Sequence, residues 1–351
     1  MGPTAGGITA EVVVDGLEVP WGIAFLPGGD WLVSERPGRI RLVHDGTLVP
    51  RPVATIPITA RAEGGLLGIA AHPRFETNRW FYIYYTAGNG DRSRNRVERW
   101  VLSADHRSAT MDRVIVRDIP AARFHDGGRI HFGPDGLLYI GTGDSTEPDL
   151  AQDRDSLAGK ILRVTDAGAI PDDNPFPQSP VYILGVRNVE GFDFGPDGLL
   201  YVADHGPSGE LGRTGHDEIS VARAGDNLGW PVIYGCERHA GMVTPLLSWR
   251  DPVPPGGAAL YRGDALPGWN GDLLVASLGA RHLHRIELSA TAPATMTAHA
   301  AYLTGDPPAG LGRLRVATSG PDGAFYLTTS NCDGRGTCPP GKDKIVRLAP
   351  Q

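Results

Sequence analysis

A histidine and an aspartate stand at the two ends of one predicted hairpin. His125 precedes two glycines and an apolar strand, and Asp144 follows the strand that returns after the turn. If the two side chains meet at the open side of the hairpin, the carboxylate holds the imidazole in one tautomer and raises its basicity, as a general base requires. A single histidine before a strand is usually a surface residue, and spacing alone favours that interpretation.

Basic and amide side chains lie beside two other predicted strands. Arg187 and Asn188 precede one strand as His125 does, and Arg313 and Arg315 share one face of another at a spacing of two. Arginines brought to corresponding strand edges would repel each other without an anion between them, which favours a carboxylate- or phosphate-bearing ligand. A solvated basic strand is the alternative.

The segment HGPSG, which contains Gly206 and Pro207, follows a predicted strand. Its carbonyl oxygens are expected to lie outside any sheet ladder, and free carbonyls suit a hard cation such as calcium. A plain turn would account for the same segment. Farther along, Asp217 and Glu218 are candidates for a second calcium site or for a surface salt bridge.

A repeated element must position these side chains. An apolar strand, a turn rich in Pro and Gly, and a second apolar strand recur six times, and FGPDGLLY occurs twice unchanged. Proline presets φ and glycine supplies the positive φ of such turns. Six copies give about 58 residues per unit, which fits a four-stranded blade. The sequence predicts an all-β, six-bladed β-propeller with four-stranded antiparallel blades, in a single domain over residues 1–351 with a core of about 17–348. A pair of β-sandwiches would not explain the repeated turn.

Composition narrows the partners and the compartment. The net charge of −7 disfavours a nucleic-acid partner, and no apolar run is long enough to span a membrane. The first residues carry no intact signal peptide, which suits a mature secreted, periplasmic or cell-surface form. Cys332 and Cys338 close a short Gly-rich loop and are expected to form a disulfide, with free thiols as the alternative. Cys236 would then be single.

The motifs resemble, in the same order, those of the soluble PQQ-dependent sugar dehydrogenases, the quinoprotein aldose dehydrogenases of the glucose/sorbosone type. The similarity extends from about Leu17 to Leu348. It rests on AEGGLLGIAAHP, HDGGRIHFGPDGLLYIGTGD, LAGKILRV, IPDDNPF, GVRN, DHGPSG, GHDEI, GDNLGWP and GRLRVATSGPDG. The resemblance implies a six-bladed propeller that oxidises the C1 hydroxyl of an aldose to the lactone. The implied cofactors are pyrroloquinoline quinone (PQQ) and calcium, and the electrons pass to an external acceptor.

By this resemblance, His125 matches the general base that takes the C1 hydroxyl proton, and Asp144 matches the carboxylate that orients it. Arg187 and Asn188 match the pair at the quinone, where the arginine stabilises charge that arrives with the hydride. Glu63 occupies a place where glucose-type members have a glutamine near the substrate.

The resemblance also assigns residues to the cofactor and the metal. Arg313 and Arg315 match arginines that hold cofactor carboxylates. Gly206 and Pro207 match backbone carbonyls on a calcium that orients the quinone and acts as a Lewis acid. Trp249 falls near an aromatic residue that lines the sugar side.

Three departures from the family pattern bear on cofactor affinity. Val186 stands where members usually have histidine, and Val189 and Glu190 replace Pro-Gln. Gly279 takes the place of a cofactor-binding lysine in glucose-type members, and Arg281 lies two residues away as a possible substitute. The insertions that build a dimer interface in glucose-type members are absent, which predicts a monomer.

Six-bladed propellers with similar turns also include metal-dependent lactonases and non-catalytic binding scaffolds. A lactonase would need a central metal held by carboxylates and asparagines from several blades. A scaffold would have no reason to bring His125, Arg187, Arg313 and Arg315 together. The quinoprotein hypothesis is therefore favoured, whereas the preferred sugar and the electron acceptor are left open.

Overall fold

The computed structural model describes residues 7–58, 60–292 and 294–351. Strands dominate this part of the chain. Its helices are α1 (Phe75–Asn78) and the 3-10 turns Gly90–Arg92, Pro148–Ala151 and Glu210–Gly212, and none of them is long and apolar enough to cross a membrane. In chain order the strands are β1 (Ile8–Leu17), β2 (Pro20–Phe25), β3 (Trp31–Glu35), β4 (Arg39–His44), β5 (Thr47–Leu48), β6 (Ala54–Thr55), β7 (Leu66–Ala71), β8 (Trp80–Ala87), β9 (Arg94–Leu102), β10 (Ala109–Pro120), β11 (Ile130–Phe132), β12 (Leu138–Gly141), β13 (Lys160–Val164), β14 (Val181–Leu184), β15 (Val189–Phe194), β16 (Leu200–Asp204), β17 (Asp217–Ala222), β18 (Leu247–Trp249), β19 (Pro255–Leu260), β20 (Leu273–Ser277), β21 (Leu283–Leu288), β22 (Met296–Tyr302), β23 (Leu314–Ser319), β24 (Phe325–Thr329) and β25 (Asp343–Pro350).

The strands form the six four-stranded antiparallel blades of a β-propeller, so the predicted fold class is confirmed. The chain forms two compact units, and each contains three blades. The histidine unit (Trp21–Val189 and Ala222–Val243) contains β2–β5 with β6 beside β4, β7–β10, and β11–β14. The arginine unit (the residues up to Pro20, Glu190–Val221 and Thr244–Gln351) contains β15–β18, β19–β22, and the blade β23, β24, β25 and β1.

Each of the six repeated segments connects the first two strands of one blade. In the third copy, Asp135 Oδ1 accepts the backbone N–H of Leu137 at 3.0 Å, and Oδ2 accepts the hydroxyl of Tyr139 at 2.9 Å. The sixth copy repeats both bonds with its own aspartate and tyrosine. Gly136 has a φ of 76°, which a side chain would disfavour. The repeated residues thus form a self-bonded turn. The second copy differs, because α1 replaces the tight turn between β7 and β8.

The cores lie between neighbouring blades. In the histidine unit, Tyr82 and Tyr84 of β8 share a buried cluster with Leu138 and Ile140 of β12. In the arginine unit, side chains of β20 and β24 share another. Side chains two apart on a strand lie on the same face, so each blade supplies a layer to the cluster beside it. This burial of apolar surface is the main favourable term for such a fold.

The predicted disulfide between Cys332 and Cys338 is confirmed, and Cys236 is a free, exposed thiol. The bridge closes a loop that follows β24. The short separation of six residues allowed this pairing to be predicted from the sequence.

Candidate active site

His125 lies in the loop between β10 and β11, and its backbone is held on both sides. Its N–H donates to Glu63 Oε2 at 2.8 Å, and its carbonyl accepts the N–H of Ser145 at 3.2 Å. The residue itself has a φ of 62°, in the left-handed region that non-glycine residues seldom adopt. This conformation turns the imidazole toward the end of β12.

The two glycines after His125 allow this close approach. Gly127 and Gly128 have φ values of 63° and 118°. A Cβ at Gly127 would lie 2.5 Å from the carbonyl carbon of Thr142, and a Cβ at Gly128 would lie 2.8 Å from Leu67 Cβ. Only glycine lets the loop pack this tightly against the neighbouring strands.

Asp144 meets His125 at the open side of the hairpin, which is the arrangement that a general base requires and that spacing alone did not favour. Asp144 Oδ1 lies 2.7 Å from His125 Nδ1, and the carboxylate is fully buried. Thr146 N donates to Oδ1 at 2.8 Å, and Trp230 Nε1 donates to Oδ2 at 2.8 Å. A carboxylate can only accept here, so it holds a hydrogen on Nδ1 and leaves Nε2 as the basic nitrogen.

Arg187 completes the cluster from the other side of the imidazole. Its Nη2 lies 2.8 Å from His125 Nε2, and because guanidinium always donates, this contact assigns the same tautomer independently. The guanidinium carbon lies 5.8 Å from the ring centre of Trp230. Trp230 therefore contacts both Asp144 and Arg187. The sequence interpretation missed its role, although its segment GDNLGWP was among the motifs.

Asn188 supports the same loop. Its Oδ1 accepts the N–H of Gly127 at 2.9 Å, and it forms an isolated β-bridge with Gly143. A Cβ at Gly143 would lie 1.9 Å from the carbonyl oxygen of His125, so this position also requires glycine. His125, Asp144, Arg187 and Asn188 thus form one cluster from three loops, since Arg187 and Asn188 are adjacent in the segment between β14 and β15.

Asp126 is a second residue that the sequence interpretation missed. It is buried, and its Oδ1 accepts Asn95 Nδ2 at 2.9 Å, while its carbonyl oxygen accepts the hydroxyl of Tyr84 at 2.7 Å. Oδ2 has no hydrogen-bond partner among the described atoms. Burial, assisted by the charge of Glu63, raises the pKa of Asp126 to about 7. Asp126 therefore anchors the loop of His125, and its carboxyl keeps a proton at pH values where an ordinary aspartate is ionised.

Arg313, which precedes β23, and Arg315 of β23 have partners within the chain. Arg313 donates from Nε and Nη2 to Asp333 Oδ2 at 2.9 and 2.8 Å, and Arg315 forms a buried ion pair with Glu190. Burial raises the pKa of Asp333, but the charge and hydrogen bonds of Arg313 outweigh it and lower that pKa below its ordinary value. Both arginines are buried, so the alternative of a solvated basic strand is wrong. Each arginine thus has a carboxylate partner within the chain, and its binding of a cofactor carboxylate stays a prediction.

The HGPSG segment is held by a buried carboxylate. Asp217 accepts the N–H of Gly206 at 2.9 Å and the N–H of Val253 at 2.7 Å, so it is a loop anchor and not a surface salt bridge. The carbonyl of Pro207 accepts the N–H of Gly215 at 3.0 Å, which corrects the expectation that this oxygen is wholly free. A carbonyl oxygen has a second lone pair, so metal binding at Gly206 and Pro207 stays a prediction.

The adjacent acidic residues do not form a preorganised metal site. Glu218 is half-buried, and burial, with the charges of Asp204 and Asp217, raises its pKa well above the ordinary value. Across residues 7–58, 60–292 and 294–351, no group of three or more His, Cys, Asp or Glu side chains is arranged to hold a metal ion.

The remaining predicted positions lie in different surroundings. Trp249 ends β18 and packs edge-on against His284 with ring centres 5.0 Å apart, inside a core cluster. Val186 is fully buried. A Cβ at Gly279 would lie 2.9 Å from Pro254 Cγ, and Arg281 pairs with Asp306 at the surface. Arg281 thus has a carboxylate partner of its own, and its role as a substitute for the family's lysine stays a prediction.

Known proteins share both the sequence and the fold. The sequence pattern of the glucose/sorbosone dehydrogenase family matches residues 17–339. The chain is 31% identical over 351 residues to aldose sugar dehydrogenase YliI of Escherichia coli K12, which covers 93% of this chain and 91% of the relative. The PQQ-bound aldose sugar dehydrogenase of Streptomyces coelicolor is 36% identical, with a TM-score of 0.86 over 99% of both chains. The apo form of the soluble aldose sugar dehydrogenase of Escherichia coli is 28% identical, with a TM-score of 0.83 over 98% of this chain and 100% of that one.

Proposed function

Because the chain belongs to the glucose/sorbosone dehydrogenase family, we propose that it is a PQQ- and calcium-dependent aldose sugar dehydrogenase. It oxidises the C1 hydroxyl of an aldose to the lactone and passes the electrons to an external acceptor. The observation that carries the proposal is the hydrogen-bonded series from Asp144 through His125 to Arg187, which presents a basic nitrogen beside a buried cation.

His125 Nε2 takes the proton of the C1 hydroxyl in this proposal. Arg187 Nη2 occupies that nitrogen at 2.8 Å, so the substrate hydroxyl has to replace this contact. Asp144 then faces an imidazolium across its 2.7 Å contact and stabilises the new charge. The displaced guanidinium of Arg187 stays beside the reacting oxygen, where negative charge develops as the proton leaves.

The residues fit the cofactor, although Arg313 and Arg315 already have carboxylate partners within the chain, which the resemblance did not imply. PQQ, when bound, supplies an ortho-quinone that accepts the C1 hydrogen together with its electron pair. Arg187, Asn188, Arg313 and Arg315 would hold it. Arg313 uses Nε and Nη2 for Asp333, which leaves Nη1 for a cofactor carboxylate. The PQQ-bound relative from Streptomyces coelicolor supports PQQ as the cofactor.

The other assigned positions complete the proposal. Gly206 and Pro207 would offer backbone carbonyls to calcium, which prefers oxygen ligands. Glu63 holds the backbone of His125 and would face the substrate, and Trp249 would line the sugar side.

We extend the proposal to location and assembly. A disulfide persists in oxidising compartments, so the protein is secreted, periplasmic or at the cell surface. It acts as a monomer that folds as one propeller domain. Gel filtration with light scattering and a thiol titration of the protein isolated from its host test both statements.

The experiment mixes purified protein with PQQ and calcium, adds an aldose and a dye acceptor, and follows dye reduction. Reduction that requires all of these components supports the proposal, and omission of each one is the control. PQQ binding is titrated separately. Tight PQQ binding without dye reduction with any aldose would overturn the substrate class, and failure to bind PQQ would overturn the cofactor.

A further inference from the structure

A cavity of about 750 Å³ adjoins the loop of His125 within the histidine unit. This volume is in the range of small-molecule sites. The walls continue the segments of the candidate active site, because Gly64 follows Glu63 and Ser145 follows Asp144. Neither His125 nor Asp144 lines the cavity itself. The cavity therefore lies beside the proposed reaction centre, and the proposed reaction gives it no role.

Unusual backbone conformations concentrate around this cavity. Ala62, His125, Ser145 and Thr146 have φ values of 53°, 62°, 55° and 64°. Non-glycine residues seldom adopt the left-handed region because it is strained, and such strain clusters at ligand sites. The carbonyl of His125 accepts the N–H of Ser145 at 3.2 Å, which links the cavity wall to the catalytic loop.

The lining of the cavity is basic, although the whole chain has a net charge of −7. Arg61, Arg94 and Arg123 line it, and Glu147 is the lining carboxylate among the described side chains. Arg61 and Arg123 form no ion pair with any side chain that the structure describes. Because the guanidinium groups of Arg61 and Arg123 have no carboxylate partner among the described side chains, they favour an anionic occupant of the cavity.

A buried hydroxyl provides an independent sign of a ligand. Ser145 lines the cavity and is only 5% exposed, yet its Oγ has no hydrogen-bond partner among the described atoms. A buried polar atom without a partner is costly, so such atoms in native proteins usually have a ligand or water to bind. Ser93 and Thr146 add further hydroxyl groups to the same lining.

We infer that this cavity binds the anionic part of an acidic aldose, a sugar that bears a carboxylate or a phosphate away from its reacting C1. Arg61 and Arg123 bind the anion, Ser145 Oγ donates to it, and the reducing end of the sugar reaches His125. The inference rests on the proposed function for the reaction, but binding of the anion does not depend on the cofactor.

A second cavity of the same unit shows why the arrangement is specific. It has a volume of about 790 Å³ and is also lined by two arginines, Arg51 and Arg107. Asp30 and Asp105 line it as well, so acids balance those arginines. Arg107 therefore provides a matched control for the loss of an exposed arginine beside a cavity.

The first test compares neutral and acidic sugars on the holoenzyme. Dye reduction is measured at low ionic strength with glucose, glucuronic acid and glucose 6-phosphate. A second pair is cellobiose and the disaccharide in which its non-reducing glucose is replaced by glucuronic acid. We expect kcat/KM to be about tenfold higher for an acidic sugar than for its neutral partner, as one added charge-assisted contact would provide. The carboxylate and phosphate arms identify which anion is used. Equal kcat/KM values for both members of every pair would overturn the inference.

The variants connect this preference to the cavity. The double change Arg61→Ala with Arg123→Ala should lower the ratio of acidic to neutral kcat/KM about tenfold. Arg107→Ala should leave that ratio as it is in the parent protein. If the ratio survives the double change, or if the double change instead weakens PQQ binding, the anion site is not this cavity.

A binding measurement separates this inference from the proposed function. Glucuronate and glucose 6-phosphate are titrated calorimetrically into the protein without PQQ, with glucose as the neutral comparison. Binding of an acidic sugar that is lost in the double variant and kept in Arg107→Ala supports the site even if no sugar is oxidised. Dye reduction with neutral sugars, together with no detectable binding of either acid, would retain the proposed function and overturn the inference.

Discussion

The buried arginines of the two units have different hydrogen-bond partners. In the histidine unit, Arg187 donates to the imidazole of His125, a group expected to react. In the arginine unit, Arg313 and Arg315 are bound to Asp333 and Glu190. All are buried beside the first strand of a blade. The difference shows that a buried arginine needs a hydrogen-bond acceptor or an anion as its partner. Only the structure shows whether a side chain of the same chain is that partner.

Replacing His125, the general base of the proposed reaction, should have the largest effect on turnover. His125→Ala should keep bound PQQ but lower turnover on the order of a hundredfold or more, because the proton of the C1 hydroxyl would lose its acceptor. Dye reduction and PQQ titration measure the two properties separately. His131→Ala, which changes an exposed histidine on β11, is the control. Full turnover in His125→Ala would remove this histidine from the mechanism and end the contrast between the units.

Asp126→Asn tests whether a carboxyl of the same unit is protonated in the folded protein. The pKa of Asp126 is about 7 in the folded protein and 3.8 ordinarily, so folding favours the neutral carboxyl. The contribution of this group to stability is therefore fully present below pH 4 and is lost as pH rises through 7. Asparagine stays neutral and can still accept from Asn95. Relative to the parent, the variant should gain about 2 kcal/mol of unfolding free energy between pH 5 and pH 8.

Denaturant unfolding across this pH range measures the gain. Asp149→Asn, at an exposed position, controls for the loss of one carboxylate. A difference between Asp126→Asn and the parent that does not vary with pH would show that Asp126 is ionised in the folded protein.

Glu190→Gln tests the arginine unit and restores the residue that the family pattern has there. It releases Arg315 from its buried ion pair. PQQ should then bind about tenfold more tightly, since one more cation is available for its carboxylates. The unfolding free energy without PQQ should fall, because the charge of Arg315 loses its partner. Glu287→Gln, at a half-exposed pair with Arg285, is the control. Unchanged PQQ affinity would mean that Arg315 is only structural.

The smallest effect is expected where charges meet at the surface. Asp30 accepts from Nδ1 of His44 at 2.7 Å and of His106 at 2.6 Å. Its hydrogen bond raises the pKa of His44, and although burial acts against it, bonds from both histidines lower the pKa of Asp30. Stability from His44 is complete below pH 6.5 and is lost as pH rises through its higher folded pKa. Stability from Asp30 is present above pH 3.8 and is lost as pH falls.

Asp30→Asn should therefore destabilise the protein slightly near pH 5.5 and hardly at pH 9. Thermal unfolding of both proteins at the two pH values measures this. Equal destabilisation at both would show that hydrogen bonding alone matters, without charge.

Features formed within one hairpin could be predicted from the sequence. The turn of Asp135 and Gly136, the disulfide and the pair of His125 with Asp144 join residues at most 19 positions apart. Such short segments have few ways to meet, and Pro, Gly and Asp encode the turn directly. The second repeat was the exception, since the residues of α1 carry no comparable turn signal.

Contacts between separate strands and loops could not be predicted in the same way. Trp230 reaches Asp144 across 86 positions, and Glu190 reaches Arg315 across 125. The ion pair of Arg315 with Glu190 was not predicted for that reason, and the role of Arg313 and Arg315 in cofactor binding stays a prediction.

By itself, the sequence determined the repeated blade, the hairpin that joins His125 to Asp144, the local disulfide and the family. Only the tertiary structure decided which acid neutralises Arg313 and Arg315, which indole holds Asp144, and that Arg61 and Arg123 line a cavity without an ion pair to any described side chain. The physical reason is that turn chemistry acts through a few adjacent backbone angles, whereas desolvation and ion pairing depend on which distant side chains the packed blades bring within about 3–4 Å.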